Sequence, residues 1–75
     1  MQILLINNDP FGNSFRVTDS NANGVEIFRG FIQSHGEQWI TCRENDSNYG
    51  NIITYQDNNS GIGRSFLSEG ERIDL

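Results

Sequence analysis

Seventy-five residues bound a single domain with room for only a modest core. Cys42 is the one cysteine, which excludes an internal disulfide and fits a reducing compartment. Ten carboxylates against five arginines and no lysine leave a net charge of -5, and cations spread along the chain exclude a phosphate-tracking surface, so direct nucleic-acid binding is not expected.

Taken in chain order, the first apolar run is Ile3-Leu4-Leu5-Ile6. It reads as a strand, being too short for a signal-peptide core and without a basic flank. No stretch is long or apolar enough to span a membrane, so a cytoplasmic location is expected. Phe15 and Val17 then alternate with Arg16 and Thr18, the period of a half-buried strand. Val25 to Gln33 is ambiguous. On a helical wheel Val25, Ile27, Phe28, Phe31 and Ile32 share one side, and Asn23 with Glu26 could form a capping pair, which gives a short helix at 25–33. Its β-branched and aromatic content, Gly30 inside it and the hairpin signal Asn23-Gly24 before it favour a strand with a bulge near Gly30. Ile40 and Cys42 alternate with Thr41 and Arg43, and Ile53 and Tyr55 with Thr54 and Gln56. Arg64 to Leu67 is too short for a helix.

The two halves share an order of turn chemistry. Asn8-Asp9, Phe11 and Gly12-Asn13 match Asn45-Asp46, Tyr49 and Gly50-Asn51 with one inserted residue. Phe15, Val17, Asp19 and Asn21 then meet Ile53, Tyr55, Asp57 and Asn59, and Ser34-His35-Gly36-Glu37 meets Ser68-Glu69-Gly70-Glu71. The expected fold is all-β: a small antiparallel sandwich or barrel of about six strands. It is built from two tandem repeat units, 1–37 and 38–75, which pack about a pseudo-twofold axis because neither buries its apolar face alone. Trp39 is expected to pack at their junction.

The turn motifs resemble a known family. Phe11-Gly12-Asn13-Ser14-Phe15 after the first strand, and Asn48-Tyr49-Gly50-Asn51 after Trp39–Glu44, resemble the folded-hairpin motif of the βγ-crystallin double Greek key. Ser34 to Trp39 is similar to the link into that family's second motif. The resemblance implies two Greek-key motifs and calcium held by an Asp/Asn pair followed by a Ser/Thr-Ser step. Asp57, Asn58 and Asn59 supply the pair, with Gly61-Ile62 in place of that step.

The residues by themselves also raise calcium. Asp19, Asn21 and Asn23 before Gly24 match the first half of a calcium loop, where alternate side chains turn oxygens inward, but Gly30 stands where the bidentate Glu belongs. Asx-rich hairpin loops look the same in sequence. His35 is the only histidine and sits in a turn, and Cys42 shares a face with Ile40, so neither is expected to do chemistry. No catalytic residue and no cofactor other than calcium is expected, and the chain reads as a non-enzyme. Two functions follow. One is an acidic interaction protein that occupies the surface of a partner protein in the manner of an inhibitor, such as a small phage inhibitor of host machinery. Its interface candidates are Phe11, Tyr49, Glu69 and Glu71, though Phe11 and Tyr49 could instead fold over their own hairpins. The other is a weak calcium-binding crystallin-like module. An exposed edge strand would also permit a homodimer.

Overall fold

The computed structural model describes residues 1–75. Seven strands form two sheets: β1 (Gln2–Ile6), β2 (Asn13–Asp19), β3 (Val25–Ile32), β4 (Glu37–Thr41), β5 (Gly50–Gln56), β6 (Ile62–Leu67) and β7 (Arg72–Asp74). The three-stranded sheet runs β4-β1-β7 and the four-stranded sheet β3-β2-β5-β6. Neighbours pair antiparallel except β1 and β7, which are parallel.

Alternation decides what lies between the sheets. Ile3 and Leu5 of β1, Phe15 and Val17 of β2, Ile40 of β4 and Ile52 of β5 turn inward. Ile32, Cys42, Leu67 and Ile73 complete one core cluster. This core is aliphatic, with Phe15 its only buried aromatic. The parity that buries Phe15 and Val17 also buries Asp19 at the end of β2, so that carboxylate must find donors inside the protein.

Of residues 25–33, Val25–Ile32 form strand β3 and Gln33 lies just past its end. Asn23, in the left-handed region at φ 59°, and Gly24, at φ 76°, make the turn into it after a 3-10 turn at Ser20–Ala22. Ladder pairing to β2 outweighs the helical pattern, because every residue of β2 has a β3 residue opposite. The bulge lies at Ile27 and not near Gly30: Val17 faces Phe28 and Thr18 faces Glu26, which leaves Ile27 as the extra residue. Gly30 instead sits in register opposite Phe15.

Asn7 anchors the crossing from β1 to β2. Fully buried, it donates through Nδ2 to the carbonyls of Ile32 (2.9 Å) and Phe11 (3.1 Å), and its Oδ1 accepts the Asp9 N–H (3.1 Å). Gly12 follows, with the Phe31 ring in the space a Cβ would occupy. The crossing from β4 to β5 uses Asn45 similarly: its Oδ1 accepts the N–H of Ser47 (2.9 Å) and of Tyr49 (3.0 Å).

Two substitutions separate the core from the surface. Leu5→Ala is expected to cost about 2–5 kcal/mol. Phe11→Ala, at an exposed position, is expected to stay within about 0.5 kcal/mol of the starting protein. Urea unfolding of both variants measures the contrast.

Candidate functional site

The Asp/Asn loops are structural joints. Asp19 is 2% exposed; its Oδ2 accepts the Arg43 N–H at 2.7 Å and its Oδ1 the Asn21 N–H at 3.0 Å. Asn21 donates through Nδ2 to the carbonyls of Arg43 (2.9 Å) and Tyr49 (3.0 Å), and its Oδ1 accepts from Asn51 Nδ2 (3.2 Å). Asn23 is the exposed left-handed cap of the 3-10 turn. Asp57, Asn58 and Asn59 are exposed in the β5–β6 turn, and Asp57 Oδ1 accepts the Ser14 N–H at 3.0 Å. The two loops sit at opposite ends of the β2–β5 ladder, since Asp19 faces Ile52 while Phe15 faces Gln56. No three His, Cys, Asp or Glu side chains gather to hold a metal. Calcium needs six to eight converging oxygens. Here both Asp19 oxygens are occupied by backbone donors and Asn21 is spent on Arg43, Tyr49 and Asn51, so the Asp19 loop does not fit the ion.

Cys42 is buried in the core. Burial, and then the nearby Asp19 carboxylate, raises its thiol pKa above the ordinary value, which disfavours the reactive thiolate. Glu69 and Glu71 are exposed but tied to the turn before β7: Glu69 Oε2 accepts the Gln2 N–H (2.8 Å) and Glu71 Oε1 the Ser68 N–H (3.0 Å).

The aromatics are distributed against expectation. Five of the eight are exposed: Phe11 at 75%, Phe66 at 72%, Phe31 at 67%, Trp39 at 53% and Tyr49 at 38%. Trp39 does not fill the junction between the two halves. It stands on the outer face of β4 opposite half-buried Leu4. Phe11 does not cover its own hairpin, and Tyr49 packs edge-to-face on Phe66, ring centroids 5.6 Å apart.

The arginines are also less dispersed than the sequence implies. The β2–β3 register sets Arg16 directly opposite Arg29 on the outer face of the four-stranded sheet. Like charges so placed repel unless each is compensated. The Arg16 guanidinium stacks on the Tyr55 ring at 4.0 Å, and Arg29 Nε meets Glu26 at 2.7 Å. Beside them lies an open groove of about 310 Å³, lined by Ser14, Arg16, Arg29, Gly30, Phe31 and Asp57 among others. Pairing register and exposure select Phe31, Arg16 and Arg29, which sequence reasoning did not single out.

Asp19→Ala leaves two backbone N–H groups without acceptors, at about 1–3 kcal/mol each. The expected loss of about 3 kcal/mol is read by urea unfolding, and is the same with excess calcium or with chelator. No helix is long and apolar enough to cross a membrane. Comparison of the chain with protein-family models, curated proteins and solved structures finds no match.

Proposed function

We propose that this protein is a non-enzymatic interaction module that occupies the surface of a partner protein, in the manner of a small inhibitor. The observation that carries this reading is the placement of the aromatics: the core is aliphatic, and five of eight aromatic side chains face solvent. Burying a large aromatic is strongly favourable, so leaving several exposed sacrifices stability that a partner restores. Aromatic and arginine side chains are also the residues that dominate binding energy at interfaces.

The outer face of the four-stranded sheet is the docking surface in this reading. Phe31 borders its groove at one end, with its ring against Gly12, the residue after exposed Phe11; Arg16 stacked on Tyr55 and the Arg16–Arg29 pair line it, and Ile53 continues the face. Arg16 and Arg29 offer donors to partner carbonyls or carboxylates, while the net charge of -5 favours encounter with a basic surface. Glu69 and Glu71, in the turn beside the start of β1, add to the net negative charge. A cytoplasmic setting is part of the proposal and accords with the free, buried Cys42.

We also propose that the two halves are copies of one unit. Support comes from β2 lying antiparallel beside β5 and β1 antiparallel beside β4.

Affinity capture tests the docking surface. The double variant Phe11→Ser, Phe31→Ser is expected to melt within a few degrees of the starting protein and to lose the captured partner. Val25→Ser, exposed at the far end of β3, is expected to keep it. Equal capture by all three proteins contradicts the assignment.

A further inference from the structure

Four strands lie at sheet edges, and three are blunted. β3 carries the Ile27 bulge and the Glu26–Arg29 ion pair. β6 contains Gly63, a register shift in its pairing with β5, and Phe66 in the left-handed region at φ 59°. β7 has three residues, two of them the ion-paired Arg72 and Asp74. Such devices stop an edge from templating another strand. β4 has none of them. It is regular from Glu37 to Thr41, with no bulge in its pairing, no positive φ and no proline.

Its unpaired backbone groups follow from the ladder. Cys42 N–H donates to the Met1 carbonyl (2.9 Å), the Met1 amine to the Cys42 carbonyl (2.8 Å), and Asn7 N–H to the Gly36 carbonyl (3.1 Å). Even-numbered residues of β4 therefore bond to β1. Glu37, Trp39 and Thr41 turn their N–H and C=O groups to the open edge. Of these groups only the Trp39 carbonyl has a partner, the Gln38 side-chain amide at 2.8 Å.

We propose that β4 pairs antiparallel with β4 of a second copy, joining two three-stranded sheets into one of six strands about a twofold axis at Trp39. The occupant is a second copy because the edge is complementary to itself. With Trp39 opposite Trp39, Glu37 of each copy faces Thr41 of the other, so no like charges are opposed. All three outward-facing residues fall at hydrogen-bonded positions of the new ladder, which gives each N–H an acceptor. Leu4 lies beside Trp39 on the same face. The junction therefore carries an apolar stripe, Leu4 and Trp39 of one copy meeting Trp39 and Leu4 of the other, where aromatic cross-strand pairs add stability. Arg43, which makes no ion pair in its own chain, follows one pleat beyond Thr41 and comes diagonal to Glu37 of the other copy, itself unpaired. Net charge of -5 on each chain opposes association, so the dimer is concentration-dependent.

Analytical ultracentrifugation across a roughly hundredfold concentration range, with Trp39 emission recorded on the same samples, tests this. The expected result is a monomer–dimer equilibrium, with emission moving to shorter wavelength as dimer forms. Trp39→Lys opposes two cations at the axis and is expected to weaken association at least about tenfold, equivalent to about 1.4 kcal/mol. Phe66→Lys, on a different edge, is expected to leave association unchanged. Amide exchange on the unaltered chain needs no variant: the Glu37, Trp39 and Thr41 N–H groups become protected as concentration rises. A strict monomer throughout, or a dimer in which those three amides stay unprotected, overturns the proposal. Neither outcome bears on the docking surface, which lies on the other sheet.

Discussion

The carboxylate of Asp19 is the constraint around which much of this small protein is arranged. Strand parity drives it inside, where an unpaired charge is costly. It is compensated by two backbone N–H groups, one from its own turn and one from Arg43, just past the end of β4. The pairing fastens the end of a strand in one sheet to the end of a strand in the other. Asn21 extends the joint by holding the carbonyls of Arg43 and Tyr49, which fixes the start of β5 and the position of the Tyr49 ring. At the opposite end Asn7 plays the corresponding part, tying the end of β1 to the Ile32 and Phe11 carbonyls. Two buried polar residues thus hold the crossings between the sheets that aliphatic packing alone leaves unspecified.

That division of labour explains the surface. Ile, Leu and Val fill the narrow space between two short sheets, and bulky rings are not needed there. The crossings that Asn7 and Asn21 pin end in Phe11 and Tyr49, whose backbone carbonyls those side chains hold. Phe31 is held over Gly12 beside the same crossing. Exposed rings on a backbone already held by hydrogen bonds need less ordering of the chain when a partner covers them, which is why such positions make efficient anchors. Arginine stacked on Tyr55 completes a face of unusual composition for an acidic chain.

The strands were legible wherever period-two alternation was clean. Phe15/Val17 and Ile53/Tyr55 marked β2 and β5. For β5 the parity was legible but its sense was not: Ile52 and Thr54 turn inward, while Ile53 and Tyr55 face outward in part. Residues 25–33 stayed ambiguous because apolar side chains at both periods coexist, and only the ladder to β2 decides between them. Strand β7 was hidden by its length of three residues. Asp19 and Asn21 were recognisable as turn-forming residues with inward-facing oxygens. Whether such oxygens meet a cation or a backbone N–H depends on which loop arrives opposite, and that loop is more than twenty residues away. The adjacency of Arg16 and Arg29 likewise depends on register. Exposure of Phe11 and Trp39 was illegible for a related reason: alternation says which face a residue shares, and not whether anything covers that face.

The account rests on aromatic rings standing outside an aliphatic core. The most direct measurement is the response of the ring protons to a soluble paramagnetic probe in NMR spectra of the protein without partner, at concentrations low enough to keep it monomeric. Strong broadening of Phe11, Phe31, Trp39 and Phe66, with Phe15 left sharp, is the predicted result. Protection of those four rings to the level of Phe15 would contradict it, because the rings would then belong to the core and the surface argument would lose its basis.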